Sequence, residues 1–209
     1  VKHSLLPRFI VSRETLERLH VFVGLLEKWS DRINLVSKNE RPRIWERHVE
    51  DCLQIAPLVP ASTEPAIDMG AGAGFPGLVL AIALGRPFHL IEADHRKAAF
   101  LREASRAVEA PVTVHARRIE GIGLPQSTIL TARALAPLVE LVKLAVPMLD
   151  PDGACIFLKG RSVQYELTQA MRQWNMRVEQ WQSRSDPEGC ILHVSEISLA
   201  RFVGTVPDR

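Results

Sequence analysis

Apolar positions in the first sixty residues recur at spacings of three and four. Leu16, Leu19, Phe22, Leu26, Trp29 and Ile33 form one stripe, which predicts an amphipathic helix over 12–34 with Ser12 as its N-cap. A second stripe of Ile44, Trp45, Val49, Cys52, Leu53 and Ala56 predicts a helix over 44–58. No strand signal interrupts this region, so 1–60 reads as a helical extension and 61–209 as the main domain.

After Pro60-Ala61-Ser62 the pattern changes. Short apolar runs at 66–67, 88–91, 112–114, 128–131 and 154–158 predict strands. They alternate with predicted helices at 77–84, 95–108, 137–148 and 163–174. Two stretches with partial period-2 alternation, 177–182 and 191–199, close the chain, with the turn-rich Ser185-Asp186-Pro187-Glu188-Gly189 between them. Alternating strands and helices predict an α/β fold: a mostly parallel, seven-stranded, Rossmann-like sheet with helices on both faces. The closing pair predicts an antiparallel hairpin at one edge, which separates the methyltransferase variant of this architecture from the dinucleotide-binding one.

The most informative local stretch is Ile67-Asp68-Met69-Gly70-Ala71-Gly72-Ala73-Gly74-Phe75-Pro76-Gly77, between the first strand and its helix. Glycines let the backbone turn sharply and let a ligand approach the main chain; Pro76 suits the first turn of a helix. Gly72, Gly74 and Gly77 satisfy a dinucleotide fingerprint, which a NAD(P)-dependent oxidoreductase would share. Two carboxylates shift the balance toward S-adenosyl-L-methionine. Asp68 precedes the glycines, where it would repel a pyrophosphate but organise a cationic aminoacyl group. Glu92, at the end of the second strand, is placed to accept ribose hydroxyls. Asp94 competes for that role but also suits a helix cap. An oxidoreductase also needs a proton donor such as Tyr-x-x-x-Lys, whereas the only tyrosine, Tyr165, is followed four residues on by Gln169.

The acceptor is narrowed by absences. Exocyclic-amine methylation goes with Asn/Asp-Pro-Pro-aromatic after the fourth strand, where this chain has Thr131-Ala132-Arg133-Ala134. Attack at C5 of cytosine needs a catalytic cysteine, and Cys52, Cys155 and Cys190 lie in no such loop. A ring nitrogen with a free lone pair, such as N7 of guanine, needs neither device. Arg133 can engage a carboxylate, a phosphate or the O6/N7 edge of guanine. Lys159, before Gly160, offers a phosphate contact. His48 and Asp51 stand one turn apart and, with Arg133 and Lys159, are the candidate catalytic residues, although no serine or cysteine completes a triad.

Composition constrains partners less. The 209 residues carry 24% charged side chains and a net charge of +2. Basic residues nevertheless cluster at Arg41, Arg43 and Arg47; at His95, Arg96, Lys97, Arg102 and Arg106; at Arg117 and Arg118; and at Lys159 and Arg161. Several clusters meeting at one cleft would suit a polyanion. Three scattered cysteines argue against a disulfide framework and a zinc site, so no metal is expected. No run approaches the roughly 20 apolar residues that span a bilayer, and residues 1–7 are too short and broken for a secretory leader.

Taken together, Asn34-Leu35-Val36-Ser37, Arg47-His48-Val49-Glu50-Asp51, the 68–77 turn, Arg96-Lys97, Phe100-Leu101-Arg102, Arg118-Ile119-Glu120, Ala132-Arg133-Ala134 and Leu158-Lys159-Gly160 resemble the ribosomal RNA small-subunit methyltransferase G family, also called glucose-inhibited division protein B. The resemblance implies a cytoplasmic bacterial enzyme that methylates N7 of guanine 527 in the decoding-site hairpin loop of 16S ribosomal RNA. It implies cofactor contacts at Gly70, Phe75, Ile119, Glu120 and Arg133. Cys52 departs from the serine expected at its place. The expected partner is 16S ribosomal RNA, a 30S subunit or its assembly intermediate, met by a monomer. A non-catalytic RNA-binding assembly factor on the same fold is the rival of a different class.

Overall fold

The computed structural model describes residues 5–200, so Val1–Ser4 of the opening stretch lie outside the described residues. Helix α1 (Arg13–Ser30) starts where Ser12 Oγ accepts the Thr15 amide at 3.1 Å, and its stripe buries Leu19, Phe22 and Leu26. It stops four residues short of expectation. The polar run that follows turns the chain and buries Val36, leaving Ile33 half-buried.

The second predicted helix is not one continuous α-helix. It is a 3₁₀ turn (Arg41–Arg43), a π-helical stretch (Trp45–Val49), a single α turn α2 (Glu50–Leu53) and another 3₁₀ turn (Ala56–Leu58). Pro42 and Pro57 sit in the two 3₁₀ turns, where a missing N–H ends an α-helical ladder. The wider π turn carries His48, and both His48 and Asp51 are buried.

From Ala66 the strands and helices alternate as expected: β1 (Ala66–Met69), α3 (Gly77–Leu84), β2 (Phe88–Ile91), α4 (His95–Ala107), β3 (Val112–His115), β4 (Ser127–Arg133), α5 (Leu138–Ala145), β5 (Leu149–Lys159), α6 (Val163–Ala170), β6 (Trp174–Gln182) and β7 (Cys190–Leu199). The seven strands form one sheet in the order β3-β2-β1-β4-β5-β7-β6. The first five are mutually parallel, and β7 runs antiparallel to both β5 and β6. Several boundaries differ from the sequence reading, among them those of α5 and β6. Helix α6 ends at Ala170, because Trp174 is buried as the first residue of β6. Strands β4 and β5 are longer than expected, so Arg133 and Lys159 are the last residues of strands.

Strand alternation divides the core. Ala66, Phe88, Leu90 and Ile129 pack toward α3 and α4, while Ile67, Met69, Ile91, Leu130 and Phe157 pack toward α5 and α6. Helix α1 and the 44–59 segment join the first of these clusters through Leu19, Phe22, Ile44, Val49 and Cys52. Phe22 meets Phe75 edge-on at 5.7 Å and Phe100 at 6.3 Å between ring centroids, so the extension carries one wall of the glycine turn. Phe22→Ala is expected to lower unfolding free energy by about 3–5 kcal/mol in urea denaturation. A loss under 1 kcal/mol would mean that α1 is only apposed to this core.

Candidate functional site

Asp68 lies in β1 beside Thr131 of β4. Its Oδ1 accepts the Thr131 hydroxyl at 2.6 Å and its Oδ2 accepts the Gly77 amide at 3.0 Å. A Cβ at Gly77 would stand 2.5 Å from Asp68 Cβ, so only glycine lets α3 sit this close to the strand. Burial pushes the Asp68 carboxyl up to about 7, against the two hydrogen bonds that favour its charged form. Asp68 therefore fastens helix to sheet from below, and it does not line the cavity above. Gly74 likewise stays outside that lining, and Pro76 is the N-cap of α3 instead of its first residue.

Above this strut the loop turns through Gly70 and Gly72, both with positive φ (69° and 55°). The Gly72 amide donates to Glu92 Oε2 at 2.8 Å, and the Asp94 amide donates to Glu92 Oε1 at 2.7 Å. Glu92 is thus held rigid with lone pairs to spare. Asp94 caps α4, its Oδ1 accepting the Arg96 amide at 2.8 Å and the Lys97 amide at 3.3 Å.

A cavity of about 760 Å³ opens at the carboxyl ends of β1, β2 and β4. It brings together Gly70, Gly72, Phe75, Glu92, Ile119, Glu120, Arg133 and His48. The lining also includes Leu35, Glu40, Lys97, Arg117, Arg118, Leu135 and Glu140. His48 stacks on Phe75 with centroids 5.0 Å apart and rings 19° from parallel. Burial, then the Arg133 charge, pushes the imidazole down to about 4, so it is neutral at physiological pH. Its Nε2 is buried without a hydrogen-bond partner among the described residues.

Arg133 forms the border with a second cavity of about 190 Å³. Its Nη2 donates to the Arg47 carbonyl at 3.0 Å and stands 3.6 Å from Asp51 Oδ2. Its guanidinium carbon lies 5.9 Å from the Phe75 centroid. Asp51 Oδ1 in turn accepts from Gln54 Nε2 (2.6 Å), Ser183 Oγ (2.9 Å) and Ser185 Oγ (2.7 Å). Arg47 Nη2 donates to Asp186 Oδ2 at 3.0 Å. The turn between β6 and β7, read from sequence only as a turn, is therefore pinned to the π-helical segment. Lys159 lines the second cavity, not the first; its Nζ sits 2.6 Å from Glu166 Oε2 and donates to the Ala136 carbonyl at 2.9 Å. That pairing leaves little of it for a phosphate. Serines and an aspartate in a turn carry no sequence signal for a contact more than 120 residues away.

The basic clusters separate by partner. Arg41 pairs with Asp31, Arg43 with Glu46, and Arg47 with Asp186. Lys97, Arg117 and Arg118 instead line the large cavity, the latter two exposed. Among the described residues, no group of three or more His, Cys, Asp or Glu could hold a metal, and no helix is long and apolar enough to cross a membrane.

This fold is the Rossmann-like fold of methyltransferases. A methyltransferase from Pyrococcus furiosus superposes with TM-score 0.54 at 12% identity, covering 68% of this chain and 79% of its own. M. jannaschii TYW2, solved in complex with AdoMet, superposes with TM-score 0.57 at 13% identity, covering 73% and 76%. The family model for rRNA small subunit methyltransferase G matches residues 15–188. Proteins named ribosomal RNA small subunit methyltransferase G are 52% identical over 188 residues in Granulibacter bethesdensis (90% of this chain, 88% of the relative) and 53% identical over 186 in Gluconobacter oxydans (89% and 96%). The chain belongs to the rRNA small subunit methyltransferase G family and is an rRNA methyltransferase.

The raised Asp68 value has a signed consequence. Its folded form holds a proton more tightly than the unfolded chain, so its contribution is complete below the ordinary value of 3.8 and is lost as pH rises through about 7. Asp68→Asn keeps an acceptor for Gly77 and a donor for Thr131 but cannot titrate. Between pH 5 and pH 8 the urea-measured stability difference is expected to move by about 2–3 kcal/mol in favour of Asn. A pH-independent difference would rule out a titrating carboxyl.

Proposed function

We propose that the protein transfers the methyl group of S-adenosyl-L-methionine to N7 of guanine 527 of 16S ribosomal RNA, acting as a cytoplasmic monomer on the RNA, the 30S subunit or its assembly intermediate. The observation that most supports this is the large cavity over the glycine turn, with Glu92 fixed by two backbone amides and open to it. Bound there, the cofactor supplies an electrophilic methyl on a sulfonium. Glu92 accepts the ribose hydroxyls, the backbone at Gly70 and Gly72 lies against the aminoacyl end, and Ile119 and Glu120 border the base. Asp68 supports these contacts from beneath.

The residues fit a sulfonium nucleoside better than a dinucleotide. A pyrophosphate takes the free amides at a helix start, but the Gly77 amide of α3 already donates to Asp68. N7 of guanine carries a lone pair and no proton, so its attack needs positioning and no general base. Neutral, stacked His48 packs the site and takes no proton. Lys97, Arg117 and Arg118 at the mouth would neutralise RNA phosphates.

Titration with S-adenosylhomocysteine and NADH, beside transfer of tritiated methyl to 30S RNA, tests the whole reading. NADH binding more tightly overturns it, and cofactor binding without label favours the assembly-factor alternative. Gly72→Asp sets a second carboxylate against Glu92 and is expected to weaken S-adenosylhomocysteine binding at least a hundredfold in calorimetry, with the fold retained by circular dichroism; unchanged affinity removes the site. The salt slope of RNA affinity (log K against log[salt]) is expected to flatten by about 2 when Lys97, Arg117 and Arg118 are all changed to alanine, at roughly 0.7–0.9 per phosphate contact. An unaltered slope would mean that these side chains touch no phosphate.

A further inference from the structure

The 190 Å³ cavity shares one wall, Arg133 and Ala134, with the large one. At ~30 Å³ per water it holds about six waters, too few for a nucleoside cofactor and suited to one flat base. Ala134 adopts φ 50°, a left-handed conformation rare for a non-glycine residue and a recurrent mark of functional walls.

The polar groups on this wall are not all spent. Arg133 Nη2 is engaged by the Arg47 carbonyl, but Nη1 is buried with no partner among the described residues. Asp51 Oδ1 accepts three hydrogen bonds, which turns Oδ2 toward Arg133, 3.6 Å away. An unsatisfied N–H donor of Arg133 and a carboxylate oxygen of Asp51 that accepts no hydrogen bond among the described residues thus belong to two side chains that both line the small cavity. A buried orphan donor is costly unless a ligand completes it. Guanine presents the complement on its Watson–Crick edge: O6 accepts and N1–H donates. Adenine presents the reverse order, a donor at position 6 and an acceptor at N1. A base held by that edge leaves N7 free for transfer.

We propose that the small cavity is the pocket for a flipped-out guanine, with Arg133 donating to O6 and Asp51 Oδ2 accepting from N1–H, so that this pair selects guanine over adenine. The inference rests on the methyl-transfer reading above, and it adds which cavity takes the acceptor and which atoms choose it. A site built around such hydrogen bonds rejects an analogue that reverses them much more strongly than an apolar slot would.

The test uses the full chain and 30S subunits reconstituted with guanosine, inosine or adenosine at the acceptor position. Inosine keeps O6 and N1–H and lacks only the amino group. Methylation of inosine is expected within about tenfold of guanosine, and of adenosine at least a hundredfold lower. Asp51→Asn retains the Oδ1 acceptor while putting an N–H₂ where Oδ2 was. It is expected to lower kcat/KM on guanosine at least tenfold and to leave the S-adenosylhomocysteine Kd within about threefold. Equal methylation of adenosine and inosine by the unaltered protein overturns the assignment, independently of how the variant folds. A parallel loss of cofactor affinity in Asp51→Asn also overturns it, because Asp51 would then only brace the shared wall. Failure of the methyl-transfer reading looks different: the unaltered protein would label no guanosine subunit at all.

Discussion

A buried carboxylate holds the architecture of the site together. Asp68 is fully enclosed, and its two oxygens join three elements: its own strand, the neighbouring β4 through Thr131, and the start of α3 through the Gly77 amide. Removing such a group from water is costly unless it is hydrogen-bonded, so the arrangement fixes the helix against the sheet at one height. The glycine loop has no freedom to sink into the core, and Gly70 and Gly72 are presented to the cavity. The same hydrogen bond occupies the amide that would otherwise draw a phosphate. One residue thereby both shapes the glycine loop and occupies an amide at the start of α3.

A second polar assembly works at longer range. Arg47, Asp51 and Gln54, from the irregular helical segment, clamp the turn between β6 and β7 through Ser183, Arg184, Ser185 and Asp186. Arg133 at the end of β4 is held by the Arg47 carbonyl and stands 3.6 Å from Asp51, both of the irregular segment. Asp51 is thus the residue on which three stretches far apart in sequence converge. The N-terminal region covers α3 and α4 with apolar side chains and also completes the far wall of the site with His48 and Asp51. His48 and Val49 of the π-helical stretch and Asp51 and Cys52 of the α turn after it are all buried, so the segment serves the core and the site at once.

Charge follows the same division between strut and surface. Of the basic groups legible in the chain, those at Arg41, Arg43, Arg47 and Lys159 are neutralised by carboxylates within the fold. Lys97, Arg117 and Arg118 remain at the cavity mouth. A net charge of +2 therefore does not reveal that these three bases collect at one cavity, beside Glu40, Glu120 and Glu140. Family membership in the rRNA small subunit methyltransferases accords with that placement.

Local periodicity determined most of the architecture. The alternation of apolar runs predicted six helices in outline and all seven strands, since burial on a sheet face or a helix stripe imposes periods of 2 and 3.6 on any chain. The glycine turn with Asp68 and Glu92 was legible because positive φ and close approach demand glycine at defined spacings. Boundaries were less legible where long-range burial overrode propensity, as when Trp174 left a helical pattern to enter the core as a strand. The continuous helix expected over 44–58 is instead a π-helical stretch, one α turn and a 3₁₀ turn that contains Pro57, since an apolar stripe at spacings of three and four does not tell these helical forms apart. Only the tertiary structure could assign Asp68 to a strut, pair Lys159 with Glu166, and bring Ser183 and Ser185 onto Asp51. Those contacts join residues tens to more than a hundred positions apart, and hydrogen bonds between such partners leave no periodic trace along a single chain.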